Sequence, residues 1–283
     1  IGCLCGYCQH HVSRAIVALE PHSRILPNNL RCISRIHEIM SESIEKQKLE
    51  KRLAKQFVKA MATYSLIEDG DKILVGLSGG KDSLCLLELL AKRQRIQCPA
   101  FTVEAIHVRM DNIEYESDSS YLQSFAEELG VRLHIVSTSF DTTIKTRKPI
   151  CFLCSWHRRK AIFNFAQEHG FNKIALGHHM DDIINTTLMN QMFQGSFSTM
   201  PVKIKMRKMP LTIIRPLCLI EESEIKMHAE HREYKEQIKK CPFEESSKRK
   251  DINDLFAYIE KINPEARYSI WNALETENKL IEM

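Results

Sequence analysis

Along the chain, short apolar, strand-like runs alternate with longer stretches in which apolar positions recur at helical spacing. The runs lie at 72–77, 101–108, 131–137, 173–177 and 211–215, and helical patterns fill 82–95, 118–129, 153–169 and 180–193. The alternation of such runs with helices predicts βαβ units around a parallel sheet with helices on both faces. Gly130 and Gly170 stand just ahead of two of the runs, where a helix C-terminus favours glycine. Upstream, 41–66 reads as a basic amphipathic helix, with Ser41 or Ser43 as its cap and Glu68-Asp69-Gly70-Asp71 closing it. Beyond 217 the pattern turns helical, near 221–236, 248–261 and 264–275.

The expected fold is therefore α/β. A Rossmann-like, doubly wound parallel sheet occupies 41–217 and a small helical region 218–283. Residues 1–40 lack a sustained period and hold Cys3, Cys5, Cys8 and Cys32. They read as a disordered leader, or an extension upstream of a start at Met40. The rival reading makes Cys3, Cys5 and Cys8, with His10 and His11, a metal knuckle, though the spacing matches no common zinc pattern.

Composition narrows the class. A hydrophobic content of 43% with 27% charged residues is ordinary for a globular protein, and no apolar run is long enough to cross a bilayer. The net charge of +4 permits a polyanionic partner without requiring one. Ten cysteines in a chain of 283 residues, unevenly spaced, suit a cytoplasmic protein with metal, cluster or redox thiols better than a disulfide framework.

The candidate chemistry sits at strand ends. Ser78-Gly79-Gly80-Lys81-Asp82-Ser83 joins the first strand to its helix, where glycine amides, a helix N-terminus, a lysine and two hydroxyls form an anion cradle. A Walker loop would need glycine at Val75 and a hydroxyl at Asp82, so this is another phosphate loop. The fourth strand ends in Gly177-His178-His179-Met180-Asp181-Asp182. Ligands on such sheets bind beyond the carboxyl ends of the strands, so both clusters face one site. Asp182 is the candidate for Mg²⁺ and His178 a residue lining the site, while a helix cap is the plainer role for either aspartate.

Cys151-Phe152-Leu153-Cys154 opens a helix, a position that lowers thiol pKa values and suits ligation or sulfur chemistry. Cys241, in a polar stretch, is a third candidate ligand, whereas Cys85 and Cys218 read as core and Cys98 as an incidental loop residue. Three thiolates suit either zinc with a fourth ligand or an iron–sulfur cluster with one open iron; Glu244, where a second C-x-x-C would end, tilts the balance toward the cluster. Arg158 and Lys160 follow the pair and would reach phosphates or RNA, or else line a solvated face. Two basic runs fit RNA docking: Lys46, Lys48, Lys51, Arg52, Lys55 and Lys59, and then Lys203, Lys205, Arg207, Lys208 and Arg215.

In order, SGGKDS, CFLCSWHRR, KIALGHHMDD, IIRPL and a late cysteine resemble the tRNA 2-thiocytidine synthetase family of PP-loop ATP pyrophosphatases. The likeness runs from about Leu49 to about Asn272 and includes Ile67–Asp71 and Met200-Pro201. It implies that the loop grips the pyrophosphate end of ATP and that Cys151, Cys154 and Cys241 hold a [4Fe-4S] cluster. It also implies that a tRNA anticodon-loop cytidine, at position 32, is adenylated on its carbonyl and then thiolated. Catalytic roles fall on Lys81, Asp182, Cys151 and Cys241. A cysteine desulfurase as sulfur donor and a homodimer follow from the same likeness. Members of the family often carry a second cysteine where Glu244 stands, which leaves the nucleoside target in question. The rivals are a lysidine synthetase, a 2-thiouridine-forming enzyme and a non-enzymatic zinc protein that binds RNA.

Overall fold

A computed structural model describes residues 27–111, 118–140, 150–235 and 248–283. Helix α1 (Pro27–Thr63) begins the described chain, followed by β1 (Lys72–Gly76), α2 (Lys81–Gln94), β2 (Thr102–Met110), α3 (Ser119–Leu129) and β3 (Arg132–Thr138). Then come α4 (Ile150–Glu168), β4 (Lys173–Ala175), α5 (Met180–Gln194), β5 (Lys203–Lys205) and β6 (Thr212–Ile214). Helices α6 (Glu222–His231), α7 (Lys248–Ile262) and α8 (Ala266–Thr276) precede a terminal β7 (Ile281–Glu282). The described residues up to Gln47 and those from Lys48 onward fall into two compact units. The second carries the sheet and the candidate site.

Among the described residues, seven strands make one sheet in the order β3-β2-β1-β4-β6-β5-β7. The pairs β3–β2, β2–β1, β1–β4 and β4–β6 are parallel, and β5 is antiparallel to β6. Chain order reverses between β1 and β4, which creates the crevice where ligands of such sheets bind. Alternate residues of each strand enter different cores, as the twofold strand period requires. Ile73, Val75, Ala105, Ala175 and Ile214 join a large core with α1, α2, α3, α5, α6, α7 and α8, while Leu74, Ile106, Val108 and Ile174 face α4. Among the described helices, α4 therefore covers the second face alone.

Helix α1 buries Leu49, Leu53, Phe57, Ala60, Met61 and Tyr64, the one-sided stripe that helical spacing produces. Each large side chain so buried contributes about 1.5–3 kcal/mol. The helix starts at Pro27, so Ser41 and Ser43 lie inside it and cap nothing. Proline is preorganised for a first turn, and neither glycine nor proline interrupts 28–63. Helix α2 is buried on every side from Ser83 to Ala91, and its Glu88 carboxylate accepts from the Tyr234 hydroxyl at 2.6 Å and Arg232 at 3.2 Å. Burial opposes that charge. Bonds from His228, Lys92 and Tyr234 outweigh the penalty and hold the carboxyl well below the usual range.

The acidic turn before β1 is a structural clamp. Asp71 and Lys173, both almost fully buried, pair at 2.6 Å across the amino ends of β1 and β4, and Asn172 bonds the other Asp71 oxygen at 2.7 Å. Cys85 and Cys218 are buried and Cys98 is exposed, as expected. Strands β5 and β7 were not legible in the hydrophobic pattern. No described helix is long and apolar enough to cross a membrane.

Gly130 ends α3 with φ +72, and a Cβ there would meet nothing within 4 Å. Gly130→Ala therefore isolates backbone strain. It is expected to lower unfolding free energy by about 1 kcal/mol in urea titration without altering the m-value.

Candidate active site

The turn after β1 is pinned before the loop begins. Leu77 donates its N–H to Ile106 O at 2.8 Å, and its carbonyl meets Nδ1 of buried His107 at 2.7 Å. Ser78 and Ser83 then close the loop on itself. The Ser78 N–H donates to Ser83 Oγ at 3.2 Å, the two hydroxyls lie 3.1 Å apart, and Ser83 Oγ donates to Gly80 O at 2.9 Å. Gly79 takes φ +84, a conformation that L side chains rarely adopt. Helix α2 starts at Lys81 with Gly80 as N-cap and no side-chain cap. Its first amides thus face the loop's concavity, the arrangement that binds a phosphate. The residues fit the phosphates of a nucleotide.

Lys81 Nζ lies 2.8 Å from Glu222 Oε1 and 3.1 Å from Asp82 Oδ1. Burial works against its charge, but these two carboxylates raise its pKa above the ordinary lysine value. Gly79, Gly80 and Lys81 border a cavity of about 560 Å³ whose far wall is formed by Glu222, Lys226 and Tyr234.

The second cluster is brought to the loop by Gly177. A Cβ on Gly177 would stand 3.0 Å from the backbone C and O of Asp82 and from Ser83 N, so only glycine lets the two turns touch this closely. This contact seats His179, 5% exposed, among three carboxylates. Its ring nitrogens lie 3.5 Å from Asp181, 3.5 Å from Asp182 and 3.9 Å from Asp82. Burial disfavours the imidazolium, yet the Asp181 bond and the charges of Asp182 and Asp82 raise its pKa.

The two aspartates after His179 differ in surroundings. Asp181 accepts from Arg267 Nη1 at 2.5 Å and from the Glu222 N–H at 2.7 Å. These partners and His179 overcome burial and hold its carboxyl well below the usual range. Asp182 accepts the His179 N–H at 3.3 Å, closing a capping box. Asp182 and Asp82 are carboxylates beside the loop that could hold a Mg²⁺ ion, since such ions take few protein ligands. Arg215 Nε donates to His178 Nδ1 at 3.3 Å.

Helix α4 reaches the same sheet edge from the opposite face, because it follows the carboxyl end of β3. Cys151 is exposed and Cys154 half-buried in its first turn, and thiolates at a helix start suit an iron–sulfur cluster. Cys241 lies outside the described residues. Among the described residues no set of three or more donors forms a metal site by itself. Arg158 is half-buried, and its charge joins burial in lowering the His107 pKa.

The basic run after 195 divides. Arg215 is only 7% exposed and donates to Pro201 O, so it belongs to the fold and not to a docking track. Burial, with Arg159 nearby, brings its pKa down to about 10. Lys203 pairs in register with Ile214 and gives its ammonium to Ser65 O at 2.6 Å. Lys205 pairs with Thr212, so Arg207 and Lys208, in the turn that follows, are exposed at the amino edge of the sheet, away from the phosphate loop. Residues that the motifs did not single out are His107, His179, Glu222 and Arg267. His179 alone carried a signal, as one half of the His-His pair.

Residues 45–239 match the PP-loop domain family. The chain is 35% identical over 238 residues to the tRNA-cytidine(32) 2-sulfurtransferase of Pseudomonas putida (strain W619), covering 82% of this chain and 86% of that one. It is also 35% identical over 243 residues to tRNA-cytidine(32) 2-sulfurtransferase 1 of Francisella tularensis subsp. novicida, covering 83% and 90%. Among solved structures, the U34-tRNA thiolase NcsA from Methanococcus maripaludis, with its [4Fe-4S] cluster, aligns at TM-score 0.69 and 28% identity, over 82% of this chain and 79% of that one.

The two buried histidines are expected to titrate in opposite directions from about pH 6.5. The raised pKa of His179 gives stability that is full below that pH and is lost as pH rises through its folded value. The lowered pKa of His107 gives stability present above that pH and lost as pH falls through its folded value. Ring-resonance titration by NMR checks this; coincident midpoints would contradict it.

Proposed function

Because the chain belongs to the PP-loop family, in its tRNA-thiolase branch, we propose that it is an ATP-dependent tRNA sulfurtransferase acting on an anticodon-loop cytidine, position 32. One observation carries the reading. The phosphate loop, the His179–Asp182 cluster and the C-x-x-C helix meet at the carboxyl edge of one sheet, the first two in direct backbone contact at Gly177.

A base carbonyl is a poor leaving group, so the chemistry needs two steps. The cytidine O2 attacks the α-phosphorus of ATP, the bond to the bridging α–β oxygen breaks, and pyrophosphate departs. Charge growing on pyrophosphate is met by Lys81, the amides of Gly79 and Gly80 and the start of α2. Ser78, Asp82 and Ser83 hold that loop in shape, and Gly177 and His178 border the nucleotide from β4. Sulfur at the sulfide level then bonds to C2 through its lone pair, and AMP leaves with the original oxygen and the electrons of the broken C–O bond, so the exchange balances. Asp182, with Asp82, would hold Mg²⁺, which neutralises phosphate charge. A [4Fe-4S] cluster on Cys151, Cys154 and Cys241 would supply the position from which sulfur reaches the base.

Arg158, whose charge lowers the His107 pKa, is the cation we assign to nucleotide or RNA phosphate. The exposed lysines of α1 and the residues Lys203, Lys205, Arg207 and Lys208 would contact more distant parts of a tRNA, which is far larger than the site. The target base must leave its stack to reach the α-phosphate. On family likeness alone, the proposal extends to a cysteine desulfurase as sulfur source, a homodimer and a cytoplasmic setting. A thiouridine-forming enzyme is the second reading, favoured by the likeness to NcsA. Thiols at the site edge argue against a lysidine synthetase, which has no use for them.

Lys81→Ala and Cys241→Ala are each expected to abolish thiolation of tRNA by anaerobically purified protein. Only Cys241→Ala should lose iron and the visible absorption of the cluster. Full iron content in that variant would overturn the ligand assignment.

A further inference from the structure

Arg267, on α8, is 8% exposed and far in sequence from every motif. Its Nη1 donates to Asp181 at 2.5 Å, its other edge donates to Glu260 at 2.9 Å, and its guanidinium lies 5.3 Å from the centre of the Phe256 ring. A cation this buried needs charged partners, and Glu260 alone would provide one. The second partner, Asp181, is different in kind. Its other oxygen receives the backbone N–H of Glu222 at 2.7 Å, and the Glu222 carboxylate holds Lys81 Nζ at 2.8 Å. Asp181 also lies 3.5 Å from the His179 ring. Three links therefore join the C-terminal helix to the lysine of the phosphate loop.

We propose that Arg267 is a positioning residue for the phosphate loop. It fixes Asp181, through Asp181 the first turn of α6, and through Glu222 the location of the Lys81 ammonium. The planar fork of arginine sets the distance and direction of two carboxylates at once, which a lysine cannot do. Small displacements of a group that must meet a phosphate are costly, so a distant anchor acts on binding without touching the ligand. The inference rests on reading the loop as an ATP site and adds the residue that aligns it.

The test uses the full chain, with Mg–ATP as probe in calorimetry, thermal melting alongside, and KM for ATP and kcat in tRNA thiolation. Arg267→Met keeps an apolar stem over Phe256 and removes the fork. It is expected to weaken ATP binding about tenfold, the order of one charge-assisted hydrogen bond, and to raise KM for ATP. Arg267→Lys should recover part of that loss. Glu260→Gln removes the partner that leads nowhere near the loop; it should lower the melting temperature and leave ATP affinity within about twofold. If Arg267→Met melts lower yet binds ATP as the wild type does, Arg267 is structural only and the proposal falls. Should Arg267→Met fail to fold, Arg267→Lys decides: weaker ATP binding at a near-native melting temperature supports the proposal, and unchanged binding overturns it. A wild-type protein that binds no ATP overturns the reading of the loop itself, and this inference with it.

Discussion

The site depends on one close approach. Gly177 brings the turn after β4 against the backbone of Asp82 and Ser83, at a separation where any side chain would collide. The parallel register of β1 and β4 brings the two turns to one edge, and the buried Asp71–Lys173 pair locks the opposite ends of the same strands. With the strands clamped at their amino ends and the turns touching at their carboxyl ends, the phosphate loop has little freedom. His107 and Leu77 remove what remains. Preorganisation of this kind is what a loop of backbone donors needs if charge is to be stabilised without rearrangement.

Charge beside that contact is closely paired: Asp82, Asp181 and Asp182 surround His179, and Asp82 and Glu222 flank Lys81. The exposed lysines of α1 add positive charge elsewhere on the chain. The C-terminal helices take part in this arrangement: α6 supplies Glu222, α8 supplies Arg267, and both pack into the core that holds α2.

Much of this was legible in the sequence, for physical reasons. Parallel strands show as short runs dominated by apolar residues, and the five runs became β1 to β4 and β6. Gly130 and Gly170 end their helices with positive φ, as their place before strands suggested. Strand β5 escaped because Lys203-Ile204-Lys205 is a strand of three residues with one apolar side chain between two lysines, which a basic loop resembles. The start of α1 escaped because two serines followed by glutamate imitate a cap inside a helix. Among site residues, local motifs pointed to the loop and to Asp182, but not to the separate task of Asp181, which is defined by Arg267, 86 positions downstream. Arg215 showed the same limit: within a basic run it looked like surface, yet the sheet buries it. Lys205, Arg207 and Lys208 form one basic run in sequence, and the antiparallel turn carries them to the amino edge of the sheet.

The account turns on tRNA thiolation at a cytidine, and the most direct measurement is mass spectrometry of tRNA nucleosides from cells lacking the gene, with and without its restoration. Loss of 2-thiocytidine that returns on restoration with the wild type, but not with Lys81→Ala, is the predicted result. Unaltered 2-thiocytidine, with a thiouridine or lysidine lost instead, would contradict the substrate assignment and leave the ATP site standing.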